Sequence, residues 1–347
     1  MQDIPQSAGV WASAWKRLRA DRIGMASMVV TALFIVMVVL AQMNLLAKDW
    51  QKEVGTPFAP PHFIGKIVDG SQTAVVEGAS GPSIDISDVD PLAPRYKEWN
   101  EAASKFTFAD AHKADTLPLG GDQLGRDVLS KAIKGAQVSI TAGLLAAVLA
   151  TIIGTILGAI GGYFGGPVGD FLEWVYNVFT SIPYILLILA LAAVLKSGPL
   201  ASSVGNSVWT VIIILSVVGW TGIYRLVRAE YIKHRSREYV RAAEAIGASH
   251  LSRMFTHILP NISHVVLVQL SLHVVSFIKT EVILSFLGLG VPLDMVSWGT
   301  MLTEAQSELV QGKWWQLLTA TTFMATFVLA FALLTDSLRD ALDPKLR

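Results

Sequence analysis

Two charged side chains, Lys279 and Glu281, interrupt an otherwise apolar run of the chain. Ionisable groups inside a lipid-embedded helix are costly and mark either a solute path or an internal partner. Two residues apart, they point to different faces of a helix. They could line a path and meet the terminus of a charged solute, or each could pair with a neighbouring helix. His264 and His273 fall in the same run; with no Asp or Cys cluster to complete a site, they read as satisfied polar residues rather than metal ligands. The other feature is residues 239–261, YVRAAEAIGASHLSRMFTHILPN, a polar and arginine-bearing segment between two apolar runs. Its chemistry would be mechanical. Residues 238–246 can form a helix with Tyr239, Ala243 and Ile246 on one side, and Ala242 and Ala243 carry so little side chain that a docking surface could come close. Gly247 permits the turn that ends this helix. Ser249 can cap a following helix that stops before Pro260. An ordinary amphipathic loop would share this pattern.

Catalytic constellations are missing from the sequence. It has no GxxxxGK[ST] phosphate loop, so it does not hydrolyse ATP by that route, and no Ser-His-Asp, HExxH or paired-carboxylate arrangement on a plausible scaffold. There is no cysteine, which excludes disulfides, thiolate metal sites and cysteine nucleophiles. A chain with no catalytic and no metal residues of its own is expected.

The elements that must position these residues are membrane helices. Of 347 residues, 52% are hydrophobic and only 16% charged, and the mean hydropathy is +0.51, a membrane composition. Formal net charge is zero, so bulk electrostatics indicates neither a nucleic acid nor an acidic partner. A bilayer crossing takes about 20 apolar residues. Six segments qualify, at 23–46, 136–163, 172–195, 206–226, 262–290 and 315–336. The first is too long, and too far from the start, for a cleaved signal peptide. Lys16, Arg17, Arg19 and Arg22 precede it; Arg225, Arg228, Lys233, Arg235, Arg237, Arg241 and Arg253 face only Glu230, Glu238 and Glu244 in 225–260; Arg339, Lys345 and Arg347 close the chain. With six spans all three groups fall on one side, which the positive-inside rule makes cytoplasmic. The expected plan is a cytoplasmic segment 1–22, a first span 23–46, an outward insertion 47–135, a five-helix core 136–338 with a cytoplasmic loop 227–261, and a tail 339–347.

Trp11, Trp15 and Leu18 recur at helical spacing among basic residues, as in a helix lying on the inner membrane surface. In the insertion, Gly-Thr-Pro-Phe-Ala-Pro-Pro at 55–61 reads as a helix-breaking linker. Residues 64–68 and 73–76 flank Asp69-Gly70 as a small hairpin, Ile84, Ile86 and Val89 suggest a weaker strand, and Tyr96, Trp99, Ala103 and Phe106 suggest a short amphipathic helix. This small α+β subdomain would contact a delivery protein or cap a pore mouth. Gly154, Gly158, Gly162 and Gly166 recur every four residues, a small-residue stripe on which another helix can pack closely. No internal repeat supports an inverted-repeat transporter.

Several ordered motifs carry a family resemblance. Ala242, Ala243 and Gly247, followed twelve residues later by Leu259-Pro260, resemble the coupling loop of ABC-importer permeases. Arg241 stands where the general family has glutamate and His257 where it has isoleucine; arginine at the first position is common in the peptide and nickel branch. Leu119 to Ser130, LGGDQLGRDVLS, resembles the LGTDxxGRDxxS motif of dipeptide and oligopeptide permeases, with Gly121 in place of threonine, Leu117 of histidine and Gln137 of arginine. Arg126 and Asp127 there can satisfy one another or nearby backbone. SFLGLG at 285–290, Pro292, Ser297-Trp298-Gly299 and the terminal LRDALDP complete the set, over most of residues 115–347.

The resemblance implies an all-α polytopic membrane protein with the six-helix fold of type I ABC-importer permeases. It also implies a bacterial inner-membrane location, a second homologous permease, two ATPase subunits carrying ATP and Mg, and an extracytoplasmic solute-binding protein. Tyr239, Arg241, Ala242, Ala243, Gly247 and Ala248 would then meet the ATPase. Peptide is the expected cargo, nickel or another small solute the alternative. The rival classes are an ion-coupled transporter or channel using Lys279 and Glu281, and a membrane-anchored scaffold.

Overall fold

The computed structural model describes residues 10–65, 95–103, 113–198, 207–292 and 294–342. The chain divides into two compact units, Lys52–Asp127 and the remainder.

The larger unit is a helical bundle. Its α1 (Val10–Ala20) leads through Asp21 into α2 (Arg22–Gln42). The Asp21 carboxylate accepts the Ile23 N–H at 3.0 Å and the Ser337 hydroxyl at 2.6 Å. That second bond holds its carboxyl below the ordinary range. Leu18 is buried with Ala341 against Met28 and Leu338, so α1 is seated on a neighbouring helix as well as bearing an exposed Trp15.

α4 (Val128–Phe164) begins eight residues before the expected span. At 37 residues and 1.5 Å per residue it is about 55 Å long, well beyond a hydrocarbon core of roughly 30 Å. α7 (Val208–Arg235) lies along it, and the glycine stripe is the reason. A Cβ on Gly154 would sit 2.1 Å from Ile223 Cγ2 and 2.5 Å from the Trp220 carbonyl oxygen; on Gly158, 2.8 Å from the Tyr224 carbonyl; on Gly162, 2.6 Å from that of Arg228. Without a hydrophobic drive between helices in lipid, such backbone approach supplies the association energy. Gly166 is not part of the stripe. It follows the end of α4, has φ +51°, and meets nothing within 4 Å.

The third expected span, 172–195, is not one straight helix. It splits into α5 (Gly166–Thr180) and α6 (Tyr184–Ser197), bent 87° apart. Pro183 lacks the N–H that continuation requires and clashes with the preceding turn. Arg228 on α7 bridges to Glu173 on α5 at 3.2 Å. Among the described residues, five helices are long and apolar enough to cross a membrane, or six if α5 and α6 make one bent span.

After α7 come α8 (Glu238–Ala245), α9 (His250–Ser252), a π-helical turn (Arg253–Ile258) and α10 (Leu259–Phe286). The helix capped by Ser249 therefore does not stop before Pro260. The wider turn, bonded i to i+5, carries the axis through the proline and joins α9 to α10 in one continuous rod. α11 (Trp298–Val310) and α12 (Trp315–Leu342) finish the bundle. Trp298, from the Ser-Trp-Gly motif, is wholly buried. Its indole N–H donates to the Ala132 carbonyl at 3.2 Å, its backbone N–H to the Ser139 hydroxyl at 3.2 Å, and its ring lies edge-on to Phe34.

In the smaller unit, α3 (Tyr96–Ala103) is the expected amphipathic helix. Residues 55–61 are non-helical, as expected of a helix-breaking stretch, and are tied in place through bridges Gly55–Ala114 and Pro61–Leu117. Asp122, fully buried, organises the glycine-rich motif: its carboxylate accepts the N–H groups of Leu124 and Arg126 at 2.9 Å and the Arg126 Nε at 2.6 Å. Arg126 thus pairs with Asp122, four residues back in the same turn. The expected hairpin (beyond Gly65) and strand, Phe106, and the terminal residues from Asp343 lie outside the described residues.

Candidate coupling site

The 239–261 segment is a glycine elbow. Ile246 ends α8, and Gly247 takes φ +84°. The Ala248 N–H donates to the Ala243 carbonyl and the Gly247 N–H to the Glu244 carbonyl, both at 2.9 Å. This paired bonding is the Schellman arrangement, which satisfies the orphan carbonyls of the helix end and places a residue with positive φ at its corner. Ser249 then starts the next helix, its hydroxyl accepting the Ser252 N–H at 3.2 Å.

The elbow is seated by its inner face. Val240 belongs to a buried cluster with Ala159 of α4, Ile223, Val227 and Tyr231 of α7, and Met254, Ile258 and Ile262. The Tyr231 hydroxyl donates to the Met254 carbonyl at 3.0 Å. Ala243 is buried too, so its missing bulk lets the helix approach its own chain rather than an outside surface. The outer face carries Arg241 and Ala242, both exposed, with Ile246 at 85% exposure and Leu251 at 67%. Beside it opens a depression of about 890 Å³, lined by Lys233, Ser236, Arg237, Glu238, Tyr239 and Arg241. Tyr239 reaches His234 Nδ1 at 2.7 Å, and burial raises its phenol above the ordinary value. The arrangement offers a basic, partly apolar knob.

Lys279 and Glu281 do not come together. Lys279 is exposed on α10. Glu281 is wholly buried, takes the Ser285 hydroxyl at 2.7 Å, and Ser285 in turn accepts the Val291 N–H at 3.2 Å. Glu281 thereby fixes the turn after α10 that begins with the SFLGLG motif. His273 stacks on Phe277 and contacts Thr151 at 3.4 Å, a satisfied interior polar group.

Sequence reasoning missed a buried polar group at the other end of the bundle. Lys131 of α4, fully buried, forms an ion pair with Glu304 of α11 and reaches Gln316 of α12 at 3.3 Å. Gln316 also donates to Glu304 at 3.1 Å and to the Met301 carbonyl at 3.2 Å. The one available signal was a lysine among small and apolar residues at the entry to a span. Lys131→Met removes the ion pair with Glu304, whose side chain is 30% exposed, and is expected to destabilise the protein by about 2 kcal/mol, below the range for fully buried broken pairs. Adding Glu304→Leu is expected to restore part of the melting temperature in detergent, because the carboxylate that lost the lysine is removed with it. A double variant less stable than the single one would contradict this.

Long apolar helices closed by glycine contacts, with a basic elbow at one end, define a membrane-embedded helical bundle. Residues 150–347 match the family described as the binding-protein-dependent transport system inner membrane component, and residues 9–61 match the N-terminal TM domain of oligopeptide transport permease C. The chain is 30% identical over 334 residues to the dipeptide transport system permease protein DppC of Bacillus subtilis, covering 96% of this chain and 85% of that one. It is 34% identical over 256 residues to the oligopeptide transport system permease protein OppC of the same organism, covering 74% and 81%. A solved structure of the MetNI methionine ABC transporter, described as inward facing, superposes with a TM-score of 0.50 at 14% identity, over 62% of this chain and 97% of that one; this likeness speaks to the fold alone. The chain belongs to the family of inner-membrane components of binding-protein-dependent transport systems, and its role is transport rather than catalysis.

Proposed function

We propose that this chain is one of two homologous permease subunits of an ATP-driven importer of peptides, worked through the glycine elbow by an ATPase. The observation that carries the reading is the elbow: a short helix closed at Gly247, seated inward by Val240 and Ala243, with Arg241, Ala242, Ile246 and Leu251 presented outward. A knob rigidly joined to the spans can transmit displacement, and its basic rim suits an acidic groove on a partner. Tyr239 and Ala248 frame it, and Ala243 supports it from beneath. Two ATPase subunits would carry ATP and Mg, and an extracytoplasmic binding protein would deliver the solute. Clustered Lys and Arg at 1–22, 225–260 and 339–347 support cytoplasmic termini, with the insertion 47–135 outward.

Closure of the ATPase pair would draw two such elbows together and tip the bundle between inward-open and outward-open states. Only differential contacts in the two states can move that equilibrium. The names of the similar permeases favour peptides over nickel. An ion-coupled mechanism on Lys279 and Glu281 is disfavoured because one is exposed and the other is buried against Ser285; of the two, Lys279 remains the candidate for the path.

The test is to co-express the chain with a second permease, two ATPases and a secreted binding protein encoded beside it, and reconstitute the complex in vesicles. Uptake of a labelled dialanine peptide that requires both ATP and the binding protein is expected. Uptake driven by a proton or sodium gradient without ATP would overturn the reading.

A further inference from the structure

We propose that Arg253 is a latch that fastens the elbow helix to the end of α4, so that force on α8 passes to α4 and, through the glycine stripe, to α7. This deepens the coupling role proposed above and rests on it. Arg253 sits in the π-helical turn and is only 8% exposed. On one side its Nη1 meets Glu244 Oε1 of α8 at 2.6 Å. On the other its guanidinium lies 5.8 Å from the centre of the Tyr163 ring, near the last residue of α4. Its Nη2 is 3.0 Å from His250 Nδ1, and the Tyr163 hydroxyl reaches the same nitrogen at 3.1 Å. The elbow helix α8, the start of α9 and the distant end of α4 therefore converge on one cation. Among the described residues Glu244 is its only carboxylate partner.

A buried guanidinium is costly unless paired, which makes separation of α8 from the π turn unfavourable. A π turn is also a common mark of a functional site within a helix. The far end of the connection is held as well: Arg235 at the end of α7 donates to the Gly162 and Tyr163 carbonyls at 3.5 and 3.3 Å. The terminus of α4 is thus gripped by α7 and by the elbow together. Val240 alone is an apolar contact along which α8 could slide or tilt; the charged link, directional and short, resists that motion.

Glu244 is 63% exposed at its side chain, and glutamine keeps an amide oxygen that can accept from Arg253, so Glu244→Gln is expected to fold with a modestly lower melting temperature. In the reconstituted complex it is expected to raise ATP consumed per labelled dialanine delivered about fivefold, the effect of an ion pair at the upper end of the exposed range. Tyr163→Leu is expected to raise it similarly, and the double variant by no more than the larger single effect, because both act through one arginine. Glu244→Asp is expected to recover part of the coupling. An unchanged ATP-to-peptide ratio in Glu244→Gln, or a lower melting temperature with the ratio intact, would overturn the latch while leaving the importer reading standing. A wild-type complex that retains no ATPase would instead sink both.

Discussion

Gly247→Trp is expected to reach the membrane at the wild-type level and to abolish ATP-driven uptake. Apart from its chain neighbours, no atom lies within 4 Å of a Cβ built at Gly247, so the first atom of the new side chain enters open space. It acts in two other ways. A non-glycine residue at φ +84° is strained by about 1–2 kcal/mol, a cost carried locally by the two bonds that close α8. The indole would also project at the corner of the knob, beside Ile246, where a partner surface must approach. Gly247→Asn separates the two effects, since asparagine tolerates the left-handed region and is smaller. Substantial uptake in the asparagine variant, with loss of both uptake and co-purifying ATPase in the tryptophan variant, is the expected pair of results. Normal transport by Gly247→Trp at matched membrane levels would remove the elbow from the mechanism.

Gly154→Leu should act on the bundle itself. The Cβ alone would overlap Ile223 Cγ2 at 2.1 Å and the Trp220 carbonyl at 2.5 Å. The first atom can rotate away; the second is backbone. α4 and α7 would have to part along their whole contact, at a cost of at least about 3 kcal/mol for overpacking with no flexible escape. Because Gly158 and Gly162 make the same kind of approach one and two turns further on, a shift at Gly154 opens those contacts too. Little folded protein is expected, and a clear fall in melting temperature for what survives. Leu149→Ala, at a half-exposed position on the same helix, is the control and should melt near the wild-type temperature. A stable Gly154→Leu would mean that the two helices are not held by backbone proximity.

The spans were legible because apolar length is a one-dimensional property, and five long helices stand close to where the hydropathy placed them. The glycine elbow was legible for a similar reason: its cap, its corner and the Ser249 restart all use residues adjacent in sequence. Two errors share the opposite cause. Pro183 bends the third span by 87°, whereas Pro260 is absorbed by a π turn and leaves its rod continuous. Proline announces a local disturbance, but packing against other helices determines whether the axis breaks. The Arg126–Asp122 pair went unread for the same reason, since the fold of the glycine-rich turn brings those two side chains together.

The amino-acid pattern by itself determined a membrane-spanning helical chain, the spacing of its close-packing glycines, and the presence of a capped basic elbow between two spans. These follow from hydrophobicity, side-chain size and backbone freedom, which act over a few residues. Only the folded arrangement decided that Lys131 would meet Glu304, that Glu281 would be the buried one and Lys279 the exposed one, that Ala243 would face inward, and that Arg253 would join Glu244 to the end of α4. Each of those outcomes depends on which side chains from distant segments share one buried volume, and a desolvated charge accepts whatever partner the packing brings within reach.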